Sequence, residues 1–144
     1  MKRERRPHSL CMFELPGVRL KNRSNLSLGT TKAAMFAASR EKAKLRGQAY
    51  TAASAHIGQA VKARLAAGLT VVITRVAPSA GLDEHDALAA SAKQVTDAVA
   101  DALGLASDRD PRVAWRYAAE RGPWGVVVEV VERRECEACG QVVA

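Results

Sequence analysis

The sequence predicts an α/β fold, a small mixed β-sheet with helices packed on it, in the order β-α-β-α-β-β. Two observations carry that prediction. Four short apolar or β-branched runs, Leu10 to Leu15, Leu69 to Val76, Arg112 to Ala118 and Trp124 to Val131, read as strands. The stretches after the first and second runs repeat their apolar residues at helical spacing, so strands and helices alternate rather than segregate. A chain of 144 residues that is 48% hydrophobic is long enough to bury one core without disulfides or a structural metal.

Residues 1–9 are expected to form a basic, mobile arm, residues 10–131 the folded domain and residues 132–144 a charged tail. The first strand ends at Pro16-Gly17. Lys21-Asn22-Arg23 then lies in a polar connection without periodicity, where a free backbone can approach phosphate. From Met35 to Ala67 the chain is rich in Ala, Lys, Arg and Gln, with Tyr50, Ser54, Ile57, Val61 and Leu65 at helical intervals. That spacing predicts one long helix, or two broken near Gly47, whose outer face offers Lys42, Lys44 and Arg46 to nucleic acid.

The run from Leu69 to Val76 is β-branched almost throughout and predicts a central, buried strand. A loop through Pro78 and Gly81 then feeds a helix that begins near Asp83 and ends at Leu103-Gly104. Leu88, Ala92, Val95, Val99 and Leu103 share its core face, while Asp86, Lys93 and Asp97 share the opposite stripe. Asp83 suits the N-cap, Glu84 and Asp86 suit the first turn, and Lys93 and Asp97 form an i,i+4 pair. A second acidic loop, Asp108-Arg109-Asp110-Pro111, follows at once and leads into the third strand. The last two strands, with the turn signal Gly122-Pro123 between them, read as a β-hairpin with Trp115 and Tyr117 on one face.

Charge divides the chain. Residues 1–65 hold 14 Lys and Arg against 3 Asp and Glu, whereas residues 66–144 hold 8 against 12. A basic half beside carboxylate loops suits a nuclease, with cations for phosphates and carboxylates for a metal. No apolar run is long enough for a membrane span and the basic start does not resemble a secretory signal, so a cytoplasmic protein is expected. Cys136 and Cys139 have the spacing of half a zinc site, but the chain has no second pair, and Cys11 and His8 could complete it only if the termini meet. His85 is the one histidine inside the acidic loop.

Taken together, Leu15-Pro16, Lys21-Asn22-Arg23, Gly47-Gln48-Ala49-Tyr50, the acidic helix start, and Asp110-Pro111-Arg112-Val113 before the last strands resemble the RusA family of Holliday-junction resolvases over residues 10–131. The resemblance implies a small homodimeric endonuclease of the type common in phages and prophages. Such an enzyme uses Mg²⁺, or Mn²⁺ in its place, to cut four-way DNA junctions in recombination and repair. The family's helix-start motif of two aspartates one residue apart followed by asparagine falls on Glu84-His85-Asp86-Ala87, or takes Asp83 as its first carboxylate across a one-residue insertion. Ala87 stands where the family has asparagine. Carried over, Asp86, Lys93 and Asp110 are the catalytic residues, and Asp83, Glu84, Asp86 and Asp110 the metal ligands, with Asp108 as alternate to Asp110. The competing expectations are a catalytically impaired homologue that binds branched DNA, and a basic non-catalytic interaction protein whose acidic helix is only well capped.

Overall fold

A computed structural model gives the backbone of residues 8–20, 31–78, 85–135 and 142–143, with side chains for all of these except 85–87, 134–135 and 142–143. The elements in chain order are β1 (Ser9–Pro16), α1 (Lys32–His56), α2 (Gln59–Lys62), a 3₁₀ turn (Leu65–Ala67), β2 (Leu69–Ala77), α3 (His85–Ser91), α4 (Lys93–Leu103), β3 (Val113–Arg121), β4 (Gly125–Glu132), β5 (Arg134–Glu135) and β6 (Val142–Val143). The first four strands form a mixed sheet in the order β1-β4-β2-β3, and β5 pairs with β6 as a separate short ladder. The mixed α/β architecture is the one expected. The domain limits shift slightly, because Ser9 already belongs to β1 and Glu132 still belongs to β4; residues 1–7 of the arm lie outside the described residues.

Alternation decides which face of the sheet meets the helices. Leu69, Val71 and Ile73 of β2 lie beside Val113 of β3 and Val130 and Val128 of β4 on one face, and these residues join one core with Phe13 and Leu15 of β1. Ala49 and Ala53 of α1 and Val95, Val99 and Leu103 of α4 close that core from the helix side. All nine residues of β2 are buried, as its β-branched sequence predicts for a central strand. Its parallel pairing with β3 is made by the α3–α4 crossover, since parallel strands cannot be joined by a tight turn.

The predicted hairpin does not form. β3 pairs with β2 in parallel, and β4 pairs with the other edge of β2 in antiparallel, so the three-residue link 122–124 steps across the end of β2. Gly122 makes the crossing: its N–H donates to Ala77 O at 3.0 Å, an ordinary hydrogen-bond length, and a Cβ there would lie 2.9 Å from Val76 Cγ1. Gly-Pro signalled a reversal of direction correctly; it carried no information about which strand would be the partner. Trp115 and Tyr117 do share a face and pack on the core.

Two helix boundaries also differ from expectation. α1 runs without interruption through Gly47, and the break falls at Ile57-Gly58, where Ile57 is the C-cap and Gly58 caps α2. Glycine inside a helix costs only about 1 kcal/mol, which a helix of 25 residues absorbs. Its core contacts are the small Ala49 and Ala53 rather than Tyr50 and Ser54, which are exposed. The acidic helix is in turn divided at Ala92 into α3 and α4. Ser91 Oγ donates to Leu88 O at 2.8 Å, the carbonyl that also accepts Ala92 N–H, and such back-bonding by serine loosens a helix at that point.

Candidate active site and nucleic-acid surface

α4 is positioned by its buried face: Val95 and Val99 are fully enclosed, and Leu88 and Ala92 continue the same stripe from α3. That packing turns Lys93 and Asp97 toward the loop before β3. Lys93 Nζ lies 3.1 Å from Asp97 Oδ1 and 3.0 Å from Asp108 Oδ2, so one ammonium joins two carboxylates from separate segments. The two carboxylates are about three-quarters buried and the lysine is half exposed. The hydrogen bond to Asp108, followed by that to Asp97, pushes the Lys93 pKa above its ordinary 10.5, and the same lysine holds the Asp108 carboxyl below the usual carboxylate range. Lys93 and Asp108 therefore both carry full charge at neutral pH.

Two aromatic residues of β3 fix this cluster from below. Trp115 Nε1–H donates to Asp108 O at 2.8 Å, which sets the loop backbone, and Tyr117 Oη shares a 3.0 Å hydrogen bond with Thr96 Oγ1 of α4. Burial pushes the Tyr117 phenol up, so it stays neutral and bonded.

Asp110 is engaged elsewhere. Its Oδ1 accepts the Arg112 backbone N–H and its carboxylate takes the Arg112 guanidinium in a bidentate grip, 2.7 Å at the shorter contact. Arg112 lowers its pKa to about 2. Asp-Pro-Arg is a turn-forming sequence in which an aspartate caps its own backbone two residues on, and here that local role is fulfilled. Sequence reasoning placed Asp110 first and Asp108 second; geometry reverses the order with respect to Lys93. Asp97 stands beside Lys93 on the polar stripe, as the sequence predicts, whereas the role of Trp115 as an anchor of the loop has no signal in the spacing.

Of the remaining candidates, Asp83, Glu84, Lys21, Asn22 and Arg23 lie outside the described residues, as do Cys136 and Cys139. Asp86 and His85 are placed by backbone only, in the first turn of α3. Among the described residues no three His, Cys, Asp or Glu side chains gather as a ligand set. Lys42 and Lys44 are exposed on α1, as expected, whereas Arg46 reaches Asp101 of α4 at 2.8 Å and fastens the two helices together. No helix among the described residues is long and apolar enough to cross a membrane. No family model matches the chain, and no curated protein matches it.

Proposed function

We propose that the protein is a Mg²⁺-dependent, structure-selective endodeoxyribonuclease that acts as a homodimer on four-way DNA junctions in the cytoplasm. The observation that carries this reading is the meeting of Lys93 with Asp108, fifteen residues later, in a cluster anchored by Trp115. A further support is the basic, exposed first half of α1, suited to phosphates.

The donor chemistry fits the metal. Mg²⁺ is commonly held by one or two carboxylates and several waters, and Asp108, kept ionised by Lys93, is an oxygen donor already facing a cation. Asp108 would hold the ion together with Asp86 of α3 and with Asp83 or Glu84. When bound, the ion supplies a water of lowered pKa and neutralises charge on the phosphate. Lys93, kept protonated by its two carboxylates, would donate to the phosphate oxygens as negative charge grows on them. Trp115 and Tyr117 keep Asp108 and α4 in register during that change. Asp110, spent on Arg112, shapes the loop rather than the chemistry.

The test is a synthetic four-way junction with and without Mg²⁺. Symmetric nicks with Mg²⁺, a stable complex in EDTA, and loss of nicking but retained binding in Asp108→Asn are the expected results. Binding without nicks by the wild type would favour the impaired homologue that Ala87 suggests, and neither binding nor nicking would leave the interaction protein.

A further inference from the structure

At the end of the sheet where β1, β2 and β3 stop and β4 starts, a cleft of about 580 Å³ opens beside Trp124. Its volume is that of a small-molecule site, for which about 300–1,000 Å³ is usual. Pro16, Pro123, Val76 and Val127 give it apolar walls, and Arg121 stands at the same opening.

Trp124 is held in place. Its carbonyl accepts Gly17 N–H at 2.8 Å, and the guanidinium carbons of Arg75 and Arg19 lie 5.2 and 5.6 Å from its ring centroid. Arg75 is itself 6% exposed and donates through Nε to Leu20 O at 2.9 Å, so it cannot swing out to a ligand. Its evident task is to fix the indole, and a ring fixed in advance loses little freedom when something stacks on it. Arg19 and Arg121 are the exposed guanidiniums at this sheet end, and in a chain of net charge +7 they suit an anionic partner at the mouth of the cleft. Glu14 and Glu120 also line the cleft, which disfavours a phosphate deep inside.

We propose that this cleft takes one unpaired nucleobase of a DNA strand, stacked on Trp124, with the adjoining phosphate at Arg121. A base inside a duplex has both faces covered and cannot enter; a base at a branch or in a single strand can. The cleft therefore gives a physical means of preferring branched over linear DNA. This inference rests on the nucleic-acid reading above, and it is independent of cleavage.

Equilibrium binding of oligothymidylate, of a four-way junction and of a matched linear duplex, all in EDTA, tests it in the wild type, Trp124→Leu and Trp124→Phe. Trp124→Leu is expected to weaken oligothymidylate binding roughly tenfold, to weaken junction binding, and to spare the duplex; Trp124→Phe recovers most of the loss. Trp124→Leu binding the single strand as tightly as wild type, or losing affinity equally for all three DNAs, overturns the base site while leaving DNA binding itself intact. A wild type that binds none of the three overturns the nucleic-acid reading and the site with it. A second measurement needs no change at the cleft: in Trp115→Phe the remaining indole is Trp124, whose fluorescence should be quenched by oligothymidylate and not by duplex. Unchanged emission at saturating oligothymidylate also overturns the proposal.

Discussion

α4 and the first half of α1 are both helices with cations on them, yet they are built in opposite ways. α4 buries seven of its eleven residues, while α1, more than twice as long, buries only Ala49 and Ala53. Between Lys32 and Lys44 no side chain of α1 is buried, and Met35 and Phe36 are 59% and 67% exposed. In α4 apolar burial fixes the rotation of the helix, so its polar side meets a defined partner: Lys93 finds Asp108. In α1 the last turns are anchored and the first ones are not, so Lys42 and Lys44 are offered to whatever approaches. Fixed geometry suits bond-breaking, whereas an accessible row of cations suits a backbone of repeating charge.

The sharpest way to break this contrast is at the cluster itself. Asp108→Asn should lower junction cleavage roughly 10²–10³-fold, the scale for losing one charged group that acts on the transition state, with Asp110→Asn near wild type. Gel assays of nicked product check it; equal losses would return Asp110 to the site. Next comes stability. Leu103→Ala, which empties a core position of α4, should cost about 2–5 kcal/mol in urea unfolding, against about 0.5 kcal/mol or less for Phe36→Ala on α1. Comparable costs would mean that the outer half of α1 is packed after all.

The row of cations is tested by salt. Lys42→Ala with Lys44→Ala should weaken binding of branched and linear DNA alike and reduce the slope of log K against log salt by up to about 2. The smallest effect is on proton binding. Carbon-13 NMR should find Asp110 titrating at about pH 2 and Asp108 below the ordinary carboxylate range. Both folded-state values are depressed, so the stabilisation from these ion pairs is complete above the unfolded pKa and fades as pH falls through the folded one. For Lys93 the sign is opposite: its contribution is complete below 10.5 and is lost only as pH rises beyond its raised value.

What the sequence made legible follows from what is local. The unbroken β-branched run from Leu69 to Val76 and the spacing of Leu88, Ala92, Val95, Val99 and Leu103 are local patterns, and the residues of both are buried as the sequence predicts. Pairing is not local. Nothing in Gly122-Pro123 states that β2 will lie between β3 and β4, because that depends on where α3 and α4 carry the chain. Which of Asp108 and Asp110 meets Lys93 was equally beyond spacing, since it depends on Arg112 pairing with Asp110. Arg46 was read by charge alone, and only its neighbour Asp101 on another helix shows it to be a fastener.

The position of β4 has a consequence for how the chain must reach this state. Among the described residues β1 has a single neighbour in the sheet, and Ser9 pairs with Val131 and Pro16 with Gly125, so β1 must wait for a strand that lies beyond β2, α3, α4 and β3 in the chain. Closing so long a loop is costly in entropy and slow, and until it closes a strand carrying Cys11, Phe13 and Leu15 has nothing to pair with. A nascent chain stopped short of Gly125 would lack both ladders that hold the sheet's centre, and would be a target for chaperones rather than a smaller working protein.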